Sequence, residues 1–257
     1  MNFHKKGWVS SPAISDIVVL GKLCRYGFFT RHGGVSSGIY ESLNFGFDSG
    51  DEEHAVLENR EIVKEKLGLD TLLLARQVHG KKVYTLDTPL SGDTQVDGYD
   101  SLVTNRKGVG LVIQNADCQA ILFYDPGKQV IGAAHSGWRG SVANIAAETV
   151  STMEKEYGTN PADLKVVVSP SLGPCCAEFV NYPKEFPAEF QQFIVAENYF
   201  DFWQVTRHQV QECGVKRANI LISGICTSCS GDYFSYRRAC REGDGRTGRN
   251  CSVITLD

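Results

Sequence analysis

Two histidines and a cysteine stand beside tight turns in three separate stretches: Arg76-Gln-Val-His79-Gly80, Asn115-Ala-Asp117-Cys118 and Ala134-His135-Ser-Gly-Trp-Arg-Gly140. Two imidazoles and a thiolate are good ligands for a borderline-soft cation such as zinc. Three protein ligands leave a fourth position for water or substrate, the usual build of a catalytic rather than a structural zinc centre. No CxxC or HExxH spacing ties the three together, so spacing alone leaves each as readily a solvated histidine or a core-filling cysteine. Cys118 has a second chemistry open to it, as a nucleophile with His79 or His135 as its base and Asp117 next to it.

Copper is the poorer metal. The six histidines, at positions 4, 32, 54, 79, 135 and 208, are too few for several copper centres. A blue-copper site also wants a weak axial ligand, usually Met, where only Met1 and Met153 exist. The nine cysteines, in a chain with no visible secretory segment, read as reduced thiols. Cys226-Thr-Ser-Cys229 has redox or zinc-knuckle spacing but no second such pair to complete a four-thiolate site, and Cys175-Cys176, after Gly173-Pro174, reads as a turn set by shape.

Arginines accompany glycines in several loops. Thr30-Arg31-His32-Gly33-Gly34 is a glycine-rich turn entered from a strand, where Arg31 offers a planar fork to phosphate or carboxylate. Arg139 precedes a helix whose first amides favour an anion. Arg237 and Arg238, and the stretch from Gly245 to Asn250, add further arginines. Loops of this kind suit a phosphate or polyhydroxylated substrate; solvated arginines on surface turns are the plainer alternative.

These residues need rigid elements to converge. Strands are expected at Tyr26–Thr30, Leu72–Val78, Lys82–Leu86, Ser101–Thr104, Val109–Gln114, Ala120–Tyr124, Val130–Ala134, Leu164–Ser169, Asn219–Ser223 and Ser252–Leu256. Amphipathic helices are expected at Glu52–Leu67, with Val56, Leu57, Ile62, Val63 and Leu67 on one face, at Ser141–Tyr157 and at Phe202–Cys213. The turn Asp125-Pro-Gly127 joins two strands as an antiparallel hairpin, while helices interrupt other strand pairs. The fold class that follows is α+β: mixed, partly antiparallel sheets with packed helices. The three ligand candidates sit at or just beyond strand ends, where a sheet can bring distant residues together.

At 257 residues the chain suits one large domain, spanning 1–257. A net charge of −4 argues against a nucleic-acid binder relying on a basic surface. Nothing approaches a membrane span in length, and Met1–Val9 lacks the apolar run of a signal peptide, so a cytoplasmic protein is expected.

The same stretches, taken in order, resemble the laccase-domain family, whose members are also called multicopper polyphenol oxidase-like or purine nucleoside phosphorylase proteins. The motifs are Thr30-Arg-His-Gly-Gly-Val35, Ser42-Leu-Asn44-Phe-Gly46, Gln77-Val-His-Gly80, Ala116-Asp-Cys118, His135-Ser-Gly-Trp-Arg-Gly140, Gly173-Pro-Cys175, Cys226-Thr227, Phe234-Ser-Tyr-Arg-Arg238 and Thr247-Gly-Arg249. They run through almost the whole chain. The resemblance implies zinc bound by His79, Cys118 and His135; Asp117 is the acid–base candidate nearest in sequence, and Arg31, Asn44, Gln77, Arg139 and Arg238 are the candidates for substrate or phosphate contacts. It implies phosphorolysis of adenosine, inosine, guanosine and methylthioadenosine, together with adenosine deamination. The partners would be a purine nucleoside and inorganic phosphate, with the chain a monomer or homodimer. Two other readings stay open: a cell-wall-precursor editing amidase using Cys118 or zinc, and a zinc-stabilised interaction module. Gln119-Ala120 departs from the apolar residue and Pro common after the cysteine, which bears on pocket shape. Asn250 stands where Met is common.

Overall fold

The computed structural model describes residues 18–20 and 23–257; the Met1–Val9 stretch and His4 lie outside them. The elements in chain order are β1 (Val18–Val19), β2 (Cys24–Phe29), α1 (Glu53–Leu67), β3 (Thr71–Arg76), β4 (Val83–Leu86), β5 (Thr94–Asp97), β6 (Ser101–Thr104), β7 (Val109–Asn115), β8 (Gln119–Asp125) and β9 (Val130–Ser136). They continue with α2 (Trp138–Val142), α3 (Ile145–Tyr157), β10 (Lys165–Val168), α4 (Tyr182–Glu185), β11 (Ile194–Ala196), β12 (Tyr199–Phe200), α5 (Phe202–Glu212), β13 (Ile220–Ile222), α6 (Tyr236–Glu242) and β14 (Asn250–Leu256).

Two six-stranded sheets form the centre, ordered β1-β2-β14-β7-β3-β5 and β13-β10-β8-β9-β6-β4, with β11 and β12 as a separate ribbon. Both large sheets are mixed. In the first, β3 runs parallel to β5 and β7 while β14 is antiparallel to β2 and β7. In the second, β8 pairs antiparallel with β9 and β10, and β4 pairs parallel with β6. This is the α+β architecture expected, and the hairpin around Asp125-Pro-Gly127 is present as β8–β9.

The two-residue side-chain period of a strand explains the layers. Leu73 and Ala75 of β3 pack with Leu102, Leu122 and Ile131 of the other sheet, while Leu72 and Leu74 turn outward to meet Val63 and Leu67 of α1. On the far side, Ile121 and Phe123 of β8 meet Ile145, Val150 and Met153 of α3 and Val210 of α5. The central strands β7, β8 and β9 are therefore covered on both faces and read as near-continuous apolar runs. Among the described residues, no helix is long and apolar enough to cross a membrane.

Two expectations are corrected. Leu57 is 49% exposed, while Asn59 and Arg60 of the same helix are buried. Asn59 holds the Val35, Ser36, Ser42 and Asn44 loop by four hydrogen bonds, and Arg60 lies over Phe47, so polar side chains occupy the inward face. The helix expected over Ser141–Tyr157 is two helices. Asn144 adopts φ 57°, which breaks the first and caps the second through its side-chain oxygen and Ala147 N. Strand β5, the β11–β12 ribbon, α4 and α6 carry apolar patterns too short or too polar to register.

Candidate active site

The chain crosses from one sheet to the other between β7 and β8, and Cys118 sits on that crossing. Asp117 takes φ 88° there, and the Asn115 side-chain amide donates to the Cys118 carbonyl. His79 follows the end of β3, with φ 60°, and His135 lies near the end of β9, opposite Ala120 of β8. Gln77 continues the β3–β7 pairing beyond the strand, its side-chain amide exchanging hydrogen bonds with the Gln114 backbone at 2.7 and 2.9 Å. Strand ends thus carry His79, Cys118 and His135 to one corner of the sandwich.

Their ligand atoms all lie within 4.8 Å of one another, with Cys118 Sγ and His79 Nε2 3.9 Å apart. A tetrahedral ion with bonds of about 2.0–2.3 Å sets its ligand atoms roughly 3.3–3.8 Å apart. The trio is therefore close to ligating distances.

Asp100, fully buried, organises it. One carboxylate oxygen accepts from His79 N and from His135 Nδ1, both at 2.9 Å, and the other from Val78 N and Gly80 N at 3.2 and 2.7 Å. The carboxylate pins the strained His79 turn and fixes His135 as the Nδ1–H tautomer, which turns Nε2 toward the cysteine. Nothing in the short-range sequence singles out Asp100; only the fold brings it under both histidines.

The electrostatics agree with a ligand set. Burial would raise the Cys118 thiol, but the imidazoles of His135 and His79 outweigh it and hold the pKa down at about 6. Burial disfavours charge on His135, yet the Cys118 thiolate and the Asp100 carboxylate push it up to about 9. Burial also works against charge on Asp100, whose pKa is nevertheless held low by hydrogen bonds from His135, Gly80 and Val78. Gly137 closes the corner: a Cβ there would lie 2.9 Å from Cys118 Sγ and 3.0 Å from His79 Cδ2.

Two hollows meet at the trio. One, of about 380 Å³, is the more polar of the two, lined by Arg60, Arg76 and Arg249 with Gln77, Gln114 and Asp48, the last within 3.7 Å of Arg76. The other, of about 310 Å³, is largely apolar, lined by Trp138, Phe179, Phe202 and Leu172 with Arg139 and Arg237. His79, Cys118 and Tyr236 border both. Arg139 stacks over Trp138 at 4.1 Å, and Gln119, the departure noted in the sequence, lines the apolar hollow and donates to Phe202 O at 2.9 Å.

The anticipated substrate residues divide. Gln77 and Arg139 line the hollows, as does Asp117, both of whose carboxylate oxygens are already engaged at 2.6 Å by Thr227 Oγ1 and Arg237 N. Arg31, Asn44 and Arg238 line neither hollow. Arg31 donates to Glu41 O and lies over Phe234. Asn44, fully buried, ties the loop before α1 to Arg249 N. Arg238 donates to the carbonyls of Thr227, Ser228, Ser230 and Tyr233. In their place the fold presents Arg60, Arg76, Arg237 and Arg249. Two of these were within the same arginine motifs, one helix position or one loop away, and Arg60 was masked by its place in an amphipathic helix.

The family model described as "Multi-copper polyphenol oxidoreductase laccase" matches residues 25–257. The chain is 32% identical to "Purine nucleoside phosphorylase YlmD" of Geobacillus stearothermophilus, over 97% of this chain and 94% of that protein. It is 35% identical to "Purine nucleoside phosphorylase SCO2081" of Streptomyces coelicolor, over 90% and 95%. The solved structure of the Geobacillus YlmD superposes with a TM-score of 0.81 at 31% identity, covering 91% of this chain and 92% of that one.

Proposed function

Since this chain belongs to the laccase-like family just described, with relatives named purine nucleoside phosphorylase, we propose that it is a zinc-dependent purine nucleoside phosphorylase. The observation that carries this reading is a three-ligand N₂S corner placed where an aromatic hollow meets an arginine-lined one. The donor set suits zinc, with His79 Nε2, Cys118 Sγ and His135 Nε2 as ligands and Asp100 behind them. Several copper centres do not suit it. Among the described residues His32 pairs with Asp232 and His208 packs on Phe193, both apart from the trio. Bound there, zinc would supply Lewis acidity at its open position.

The apolar hollow suits a purine, whose faces stack on rings such as Trp138 and Phe179. The ribose would then lie across the trio, and the polar hollow would hold phosphate, its charge met by Arg249 and Arg76. Phosphorolysis joins a phosphate oxygen to the ribose anomeric carbon as the bond from that carbon to the purine nitrogen breaks. Holding both reactants in adjoining hollows removes much of the entropic barrier, and the phosphate's charge offsets the positive charge developing on the sugar. Adenosine, inosine, guanosine and methylthioadenosine are the proposed substrates, with adenosine deamination a second activity of the same corner. We assign Asp117 to holding the Cys118 turn, since both its oxygens are engaged, and Arg31, Asn44 and Arg238 to supporting the loops that carry the lining residues.

The test is phosphate-dependent release of adenine from adenosine, with ammonia release followed separately for deamination. His79→Ala and Cys118→Ala are expected to lose zinc and the phosphorylase activity together. Full activity in a metal-free Cys118→Ala protein would overturn the proposal. The lowered Cys118 pKa favours one alternative, a cysteine-nucleophile amidase acting on cell-wall precursors. That reading requires rapid inactivation by iodoacetamide and a trapped acyl-thioester visible by mass spectrometry.

A further inference from the structure

Cys226-Thr-Ser-Cys229 carries zinc-knuckle spacing with no second such pair in sequence, but the fold supplies the missing half. Cys175 and Cys176, on the turn after Gly173-Pro174, meet Cys226 and Cys229 with all four Sγ atoms within 4.8 Å of one another. Cys229 Sγ lies 3.6 Å from that of Cys175 and 3.5 Å from that of Cys176. A disulfide needs about 2.05 Å and would select one partner, whereas Cys229 is nearly equidistant from two. A tetrahedral tetrathiolate centre with bonds of about 2.3 Å places its sulfurs roughly 3.8 Å apart. The four sulfurs thus surround a point at single-ion spacing, tighter than a two-iron cluster, whose thiolate pairs sit on separate irons.

The surroundings are built for such a centre. The turn after Cys226 returns Cys229 N and Ser230 N to the Cys226 carbonyl at 3.2 and 3.0 Å, the tight return that lets two cysteines three residues apart face one point. Gly173 N donates to Cys226 Sγ at 3.3 Å, and a Cβ at Gly173 would lie 2.9 Å from that cysteine's Cβ. The buried Ser228 hydroxyl, inside the Cys226–Cys229 turn, has no hydrogen-bond partner of its own. Four thiols concentrated at one spot, with an amide donor aimed at sulfur and an unpartnered buried hydroxyl beside them, fit thiolates sharing a cation better than four separate neutral thiols.

We propose that Cys175, Cys176, Cys226 and Cys229 form a second metal site, a closed structural zinc centre distinct from the open His79–Cys118–His135 corner. All four positions are filled by protein, so it has no catalytic vacancy. It clamps the loop that walls the aromatic hollow through Leu172 and Ala177 to the loop that carries Thr227. Leu172 and Ala177 flank the first cysteine pair, and Leu172 N donates to Asp117 O at 2.8 Å. Thr227, inside the second pair, donates to the Asp117 carboxylate. Removing the ion would free both loops and loosen the turn that carries Cys118.

Elemental analysis of the full-length protein, loaded with zinc and freed of excess, is expected to give two zinc ions per chain. One should remain in Cys118→Ala, one in Cys229→Ser, and none in the double variant. Cys229 is exposed, so its replacement tests the site without the folding cost of replacing a buried cysteine. Cobalt-loaded Cys118→Ala should show intense thiolate-to-cobalt charge transfer that disappears when Cys229→Ser is added. A thiol reagent applied to native Cys118→Ala should be slowed at these four cysteines by zinc and find them freely after chelation. Folded Cys118→Ala that retains no zinc overturns the proposal. So does iron in place of zinc, or a disulfide between any two of the four in protein purified with zinc and reductant. Because these measurements read metal and thiols rather than turnover, they separate this site from the nucleoside reading.

Discussion

At the scale of single residues, Asp100 and Gly137 govern the corner without being ligands. Asp100→Asn keeps the size but removes the charge opposite His135 and one of the accepting oxygens for the His79 turn. Zinc affinity, measured by competition with a chelator, is expected to fall about 10–100-fold, the usual cost of losing an orienting partner. Gly137→Ala would press a methyl against Cys118 Sγ and His79. Overpacking of this kind costs about 1–3 kcal/mol of folding stability, so the melting temperature is expected to fall by several degrees and zinc affinity to drop as the two ligands are pushed apart.

The titration of the corner has a definite sign. In the metal-free protein the Cys118 pKa is depressed to about 6 from 9.0, so the stability it contributes is present above that ordinary value and lost as pH falls through about 6. His135 is raised to about 9 from 6.5; its contribution is complete below 6.5 and lost as pH rises through about 9. Zinc needs the thiolate but also a neutral His135. Binding near neutral pH should therefore release roughly one proton per ion, and zinc affinity should climb as pH rises toward 9. Calorimetry in buffers of differing ionisation enthalpy reads the proton; a buffer-independent heat would refute the assignment.

At the scale of elements, neighbouring residues with the same chemistry take different jobs because a helix points them differently. Arg237 at the start of α6 lines the aromatic hollow, while Arg238 turns back onto four carbonyls. Arg238→Ala is expected to destabilise the protein by about 1–3 kcal/mol through carbonyls left without donors. Arg237→Ala should instead raise KM for the nucleoside with little change in melting temperature. Asn144 offers a second check. Its replacement by Ala removes a cap and leaves φ 57° occupied by a residue that disfavours it, at about 1–2 kcal/mol, whereas Asn144→Gly should cost only a few tenths. Strands β6, β8 and β9 and helices α1 and α5 were legible to within a residue or two at most ends, because their apolar runs and stop signals are strong. Strand β5, half of whose side chains are exposed and polar, was not.

At the scale of the whole molecule, the sandwich holds the two metal corners in register, and its stability is linked to whatever occupies them. Free zinc at one hundred times its dissociation constant would add about 2.7 kcal/mol to the folded state, so chelation should lower the melting temperature and excess zinc restore it. Leu122, fully buried between the sheets, is a control remote from ligand chemistry. Leu122→Ala is expected to cost about 2–5 kcal/mol with the zinc stoichiometry of the folded protein unchanged.

What the sequence by itself determined is the short apolar runs of the strands, the helix-forming stretches between them, and the residue types that can bind a soft cation. Those signals are local: a strand-length apolar run or a 3.6-residue period, a glycine that permits a turn, a thiol and two imidazoles beside such turns. The tertiary structure alone decided which of them meet. It placed Asp100 beneath both histidines, chose Arg237 over Arg238 and Arg249 over Arg31 for the hollows, and joined two cysteine pairs separated by some fifty residues. Convergence of that kind depends on sheet order and loop path, which are set by packing over the entire chain rather than by any one stretch of it.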